Sequence, residues 1–128
     1  MLGKSKAYSG FSVDNPEKVK KFYSEVLEIQ VKDEEMEGLF SLKINGGISI
    51  LVYPKENHEP ATYTILNFPV SDVEKKVDEM ISKGVKFEHY DTKEIKTDAK
   101  GIFRGGGPLI AWFKDPAGNI LSVIEEEN

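Results

Sequence analysis

Two histidines, one arginine and no cysteine make up the chain's stock of familiar catalytic and soft metal-binding side chains. His58 lies among Glu56, Asn57 and Glu59, where an imidazole and a carboxylate could hold a divalent cation. The competing reading is a solvated loop histidine. His89 follows Glu88 in a stretch expected to be a strand, so the two point to opposite faces and cannot share a ligand. His89 is then either a general base at a cavity rim or an exposed edge residue. Arg104 precedes Gly105-Gly106-Gly107, and a guanidinium on a glycine-hinged loop could close over a carboxylate or phosphate. No Lys-Ser/Thr pair opens a helix after the glycines, so they are not a phosphate loop by themselves. A surface arginine on a flexible loop is the plainer alternative. Glu125, Glu126 and Glu127 read as solvated charge, and no Ser–His–Asp or paired-carboxylate spacing is visible.

Composition narrows the classes. Without cysteine there are no disulfides, no thiolate metal sites and no thiol nucleophile. A net charge of −5 argues against a nucleic-acid partner. Apolar runs fall far short of the roughly 20 residues that a membrane span requires. The N-terminal lysines precede no apolar stretch, so no signal peptide is expected, and a cytoplasmic location is. With 128 residues, 39% of them hydrophobic, a single domain is expected.

The elements that must position these side chains come in two matching sets. Residues 7–13 alternate as a strand, and Asn15 caps a helix with Pro16 at its first position. Val19, Phe22, Tyr23, Val26 and Leu27 form the buried face of that helix, which should end near Leu27. Strands follow at about 29–34, 39–44 and 48–53, the last two joined by the Asn45-Gly46 hairpin signal. After a polar linker over 55–61 the pattern restarts with a strand over 63–70. Ser71-Asp72-Val73-Glu74 reads as a capping box for a second helix, and Gly84 as its stop. A strand over 85–90, a long polar loop over 92–108 and a final hairpin close the set. Asp115, Pro116, Ala117, Gly118 and Asn119 turn that hairpin. The two sets, about 7–54 and 62–126, repeat strand–helix–three strands at an offset of 57 to 58 residues. Two amphipathic helices that follow strands by coincidence would be the other explanation.

Phe11-Ser-Val-Asp14, Phe22-Tyr-Ser-Glu-Val-Leu27 and Trp112-Phe-Lys-Asp-Pro-Ala-Gly-Asn119 resemble the glyoxalase, bleomycin-resistance and extradiol-dioxygenase superfamily, the vicinal oxygen chelate (VOC) proteins. The resemblance implies an α+β fold of two βαβββ modules whose mixed sheet curls round a cavity, often completed as a homodimer. One departure is Glu28, where relatives usually carry glycine after the helix. Metal-dependent relatives take one His or Glu ligand from each of four strands. Carried over, those positions fall on Tyr8, Ile50, Ile65 and Ser122, none a good ligand for a divalent metal. One residue either way gives Ala7, Ser9, Ser49, Leu51, Thr64, Leu66, Leu121 and Val123, again without His, Asp or Glu. No metal or other cofactor is therefore expected.

Strand alternation under this resemblance puts Tyr8, Gly10 and Ser12 toward the cavity, with Ile48, Ile50 and Val52. From the second module it adds Tyr63, Ile65 and Asn67, then Ala111, Phe113, Ile120, Ser122 and Ile124. Such a lining suits a flat apolar or aromatic molecule, with Arg104 as a possible clamp; alternatively these side chains simply fill the space. Metal-independent binding in the manner of bleomycin-resistance proteins is the leading expectation. A lyase, isomerase or dioxygenase with a non-standard metal site is the alternative, and it would need His58, His89 or Arg104 at the cavity.

Overall fold

In a computed structural model of the chain, the described residues are 1–45, 47 and 49–126. Gly46, Ile48 and Glu127 lie outside that set, and with them the Asn45-Gly46 turn and the expected cavity placement of Ile48. The chain divides into two units, Met1–Glu59 and Pro60–Asn128, each with its own four-stranded mixed sheet.

In the first unit β1 (Gly10–Val13), β2 (Gln30–Asp33), β3 (Phe40–Lys43) and β4 (Ser49–Pro54) lie in the order β1-β4-β3-β2. β1 runs parallel to β4, and the other pairs are antiparallel. Helix α1 (Pro16–Lys21) continues into a π-helical turn, Phe22–Val26. As expected, Asn15 caps it by accepting the Lys18 N–H at 3.2 Å, and Leu27 ends it. Glu28 then takes φ +57°, the left-handed conformation for which glycine is the usual choice, and the Ile29 N–H reaches the Tyr23 carbonyl at 2.9 Å. That conformation costs a residue with a Cβ about 1–2 kcal/mol. Glu28→Gly is expected to raise the unfolding free energy by about 0.5–1 kcal/mol in urea titration, after allowance for a looser unfolded chain. A loss of stability would show that the Glu28 side chain contributes more than its backbone costs.

Residues opposite one another in register share a face, so pairing sorts the side chains. Phe11, Val52 and Phe40 form one row, and Ile50 and Leu42 the next. This is the helix side: Phe11 meets Tyr23 at 6.0 Å between ring centroids, and Val13, Val19, Tyr23, Phe40, Leu42 and Val52 are buried. The open side carries Gly10, Leu51, Ser41 and Lys32 in one row, with Lys43 and Ser49 in the next. Ile50 and Val52 therefore belong to the helix side, contrary to expectation. Tyr8 precedes β1, lies in no strand and is exposed.

The second unit repeats the plan. β5 (Thr64–Val70), α2 (Val73–Ser82), β6 (Ile102–Phe103), β7 (Ile110–Lys114) and β8 (Ile120–Glu125) give the sheet order β5-β8-β7-β6, with β5 parallel to β8. The cap of α2 is Asp72, which accepts from the Lys75 N–H at 3.0 Å; Ser71 is one residue too early for that role. Gly84 follows the helix with φ +94°, as a glycine stop requires. Glu125 is not merely solvated charge, because its carboxylate accepts the Val73 N–H at the start of α2.

The strand expected over 85–90 shrinks to one bridge, Phe87 with Phe113, plus a Glu88 N–H bond to the Trp112 carbonyl at 2.8 Å. The remaining edge of β7 is taken by β6, which arises inside the expected polar loop. Gly101 makes this handover possible. It has φ +89°, and a Cβ there would stand 2.9 Å from the Phe87 Cβ. The 115–119 turn forms as expected, with Gly118 at φ +85° and buried Asp115 at its centre. One Asp115 oxygen accepts the N–H groups of Ala117 and Asn119 at 2.9 and 3.0 Å; the other accepts the Asn119 amide at 3.0 Å. No helix among the described residues is long and apolar enough to cross a membrane.

Candidate functional site

On the second sheet, register again separates two faces. Leu66, Phe68, Leu121, Val123, Ala111 and Phe113 share the side that buries Val73, Val77 and Met80 of α2. Phe113 is 1% exposed and packs edge-on against Phe87 at 5.6 Å, so it is a core residue and not a cavity residue; Ala111 goes with it. The open side carries Asn67, Ser122 and Trp112 in one row, flanked by Ile120, Ile124 and Ile110. Register slips between Thr64 and Leu66, a bulge that brings Thr64 onto the open side. There its hydroxyl accepts the Trp112 indole N–H at 3.1 Å. Ile65, the inserted residue, has no register partner, and Tyr63 lies before the strand and is exposed.

Trp112, which the expected lining leaves out, is the centre of this face. Tyr90 meets it edge-on at 5.6 Å, and Phe103 lies at 6.2 Å on a tilted ring. Tyr90 is fixed from behind by its own N–H bond to the Thr97 hydroxyl at 2.9 Å. Burial raises the Tyr90 pKa, the Glu88 charge adds to the rise and Lys114 opposes it, so the phenol remains a hydrogen-bond donor well above neutral pH. Ser122 does lie on the open face. It is nevertheless fully buried, and its hydroxyl is committed to the Asn67 side-chain oxygen at 2.5 Å. Asn67 itself is exposed. The signal that could have found Trp112 was the alternation of β7 counted from the Lys114 end, since an exposed lysine and Trp112 share a face.

In the first unit the open face holds a contact that spacing did not suggest. The Ser12 hydroxyl lies 2.6 Å from His58 Nδ1. Parallel pairing of β1 with β4 sets Val13 opposite Pro54, the Lys55 N–H bonds the Val13 carbonyl at 2.9 Å, and the following turn folds His58 back over Ser12. Forty-six positions separate the two residues, beyond any local motif. His89 is exposed beside the β7 edge.

Arg104 is not on the open face. It follows buried Ile102 by two residues, and its guanidinium bonds Asp98 at 2.9 Å and Glu74 of α2 at 3.3 Å. The two carboxylates occupy the groups that a substrate acid would need, and Arg104 serves to tie the 98–104 segment to the helix. Partial burial pushes the Asp98 carboxyl up, but bonds from the Ile102 N–H, the Arg104 guanidinium and the Lys100 N–H outweigh it and hold the pKa below its ordinary 3.8. A depressed carboxylate contributes stability that is present above its unfolded value and lost as pH falls through its lower folded value. Acid unfolding is therefore expected to remove this contribution only below about pH 3.8. Asp98→Asn should lack that component, which an acid titration of thermal stability measures.

The four positions at which relatives hold a metal do not fit one. Tyr8 is exposed outside any strand, Ile50 faces the helix, Ile65 sits at the bulge and Ser122 is bonded to Asn67. Correcting the register replaces Ile50 and Ile65 with Leu51 and Thr64, still without a strong ligand. Among the described residues no three His, Cys, Asp or Glu side chains converge.

The family model of the Glyoxalase/Bleomycin resistance protein/Dioxygenase superfamily matches residues 7–123. The chain belongs to this superfamily. Solved structures agree on the fold of this VOC protein. It superposes on a glyoxalase family protein from Enterococcus faecalis with a TM-score of 0.69 and 20% identity, covering 98% of this chain and 100% of that one. The fosfomycin resistance protein FosX from Listeria monocytogenes gives 0.67 and 13%, covering 98% and 93%. Lactoylglutathione lyase from Agrobacterium tumefaciens gives 0.62 and 20%, covering 95% and 93%. No curated protein sequence matches the VOC chain. At these identities the likeness carries the fold, and the two βαβββ units described above are its two halves.

Proposed function

We propose that this VOC protein binds a small apolar or aromatic molecule without a metal, against the open face of its second sheet. The observation that carries the reading is the Trp112 ring, supported by Tyr90 and Phe103 and oriented by its N–H bond to Thr64. Pre-set rings present a flat surface at little entropic cost, and each aromatic contact adds about 0.5–1.5 kcal/mol beyond area burial. The exposed Asn67 amide lies in the same row and supplies a polar handle. A cytoplasmic homodimer goes with this reading, and sedimentation of the purified chain tests the dimer.

Trp112 is the chain's one tryptophan, so its emission reports on this face directly. A panel of flat aromatic and antibiotic-like compounds, titrated into EDTA-treated protein, is expected to yield ligands that shift Trp112 emission and raise the melting temperature together. Binding that appears only with one metal per chain would remove the metal-independent reading, and no response across the panel would remove the binding reading.

One observation favours the enzyme alternative. His58 Nδ1 at 2.6 Å from the Ser12 hydroxyl is in position to take its proton. Turnover of any ligand found by the panel, abolished in both His58→Gln and Ser12→Ala with binding retained, would establish it. Turnover unchanged in both variants would discard it.

A further inference from the structure

The open face of the first sheet carries a depression of about 250 Å³ lined by Tyr8, Lys32, Glu34, Ser41, Lys43, Ser49 and Leu51. Its floor follows from register. Lys32, Ser41 and Leu51 form one row across β2, β3 and β4, and Lys43 and Ser49 stand in the next. Lys32 and Lys43 are thus diagonal neighbours on adjacent strands, with Cβ atoms about 7–8 Å apart. Two ammonium groups on neighbouring strands can converge on one anion between them. Neither lysine has a carboxylate partner among the described residues. The one acid on the rim, Glu34, accepts the Ser41 hydroxyl at 2.7 Å and leaves the pair in excess. In a chain of net charge −5, a local surplus of ammonium groups runs against composition.

The hydroxyls are arranged to the same end. Lys43 donates to the Ser49 oxygen at 2.8 Å, which turns the Ser49 proton away from the lysine and makes it a donor to a third group. Tyr8, exposed at the rim, supplies a phenol. Leu51 gives the floor an apolar element for whatever carries the charge.

We infer that this depression binds the anionic group of a small molecule, a carboxylate or a phosphate or phosphonate, between Lys32 and Lys43, with Ser49 and Tyr8 as further donors. The proposal stands on residues of the first unit, and the Trp112 reading on residues of the second. Charge-assisted bonds from a lysine are the strong ones, and loss of one is expected to weaken binding about tenfold or more.

The test uses the full chain with inorganic phosphate, phenylphosphonate, benzoate and the neutral benzamide, titrated at constant ionic strength and followed by amide chemical shifts. Saturable changes are expected at Lys32, Ser41, Lys43, Ser49 and Leu51 with at least one acid and not with benzamide. Phosphate against benzoate distinguishes the two acid classes. Lys43→Gln and Lys32→Gln, each with an unchanged amide spectrum elsewhere, should weaken binding about tenfold, and Lys18→Gln on α1 should not. Shifts that follow ionic strength alone, equal shifts with benzamide, or unchanged affinity in the doubly substituted chain would overturn the inference. A Trp112 response to a neutral aromatic compound would persist through that failure, so the two readings fall separately.

Discussion

Asp115→Ala is expected to lower the unfolding free energy by about 3–5 kcal/mol, because it strands several donors in one buried turn. The carboxylate accepts two backbone N–H groups with one oxygen and the Asn119 amide with the other, at 4% exposure. Each donor left buried without a partner costs about 1–3 kcal/mol, and no side chain nearby replaces a carboxylate that serves three at once. Asp115→Asn keeps an acceptor for the backbone pair but sets an NH₂ against the Asn119 amide, so an intermediate loss is expected. Urea unfolding followed by Trp112 emission measures both. A loss below about 1 kcal/mol for the alanine variant would show that water replaces the carboxylate and that the turn is held by Gly118 and Pro116.

Phe113→Ala should cost about 3–5 kcal/mol, the range for a large aromatic removed from a closed core. This prediction separates the two faces of β7. A cavity residue at that position would change ligand affinity at small cost to stability. A core residue packed on Phe87 beneath α2 does the reverse. The conservative Phe113→Leu variant, which leaves a folded protein, is expected to bind any Trp112-face ligand with unchanged affinity, whereas Trp112→Phe loses the Thr64 bond and weakens it. Equal effects of the two substitutions on affinity would contradict the assignment of faces.

The same strand shows where the sequence was legible and where it was not. Both helices, the Asn15 cap, the Gly84 stop, the 115–119 turn and the repeat of the βαβββ unit rest on local chemistry, and local chemistry is printed in the chain. Facing was legible only where one side of a strand is polar. β8 reads Ile-Leu-Ser-Val-Ile-Glu, and Ser122 marks its open side correctly. β4 and β7, Ser-Ile-Leu-Val-Tyr-Pro and Ile-Ala-Trp-Phe-Lys, are apolar on both sides, so composition leaves the phase open and pairing alone decides it. Alternation alone therefore puts Ile50, Val52, Ala111 and Phe113 on the wrong face and leaves Trp112 out of the lining. The bulge at Ile65 shifted Thr64 for a further reason, since an inserted residue resets alternation without any signature in the neighbouring side chains. Spacing does not place Arg104, because its partners, Asp98 and Glu74, are set by the tertiary path of a long loop.

The edge of β7 is shared by two pieces of chain that are far from contiguous, Phe87–Glu88 and Ile102–Phe103, and the pieces meet where Gly101 lies against Phe87. Between Tyr90 and Thr97 the chain leaves the sheet and returns at a neighbouring point, since the Thr97 N–H bonds the Tyr90 carbonyl at 3.0 Å and Thr97 is bridged to Phe103. A detour with adjacent ends can lengthen or shorten without moving a single rung of the ladder, because closing a loop depends only weakly on its length. It is the natural place for this domain to gain or lose residues over evolutionary time, and for an engineer to insert a tag or a second domain. Such a change belongs at the exposed tip, residues 92–94, and must leave alone Tyr90, Thr97 and Asp98 as well as Gly101, where any side chain would meet the Phe87 Cβ and the Glu88 carbonyl.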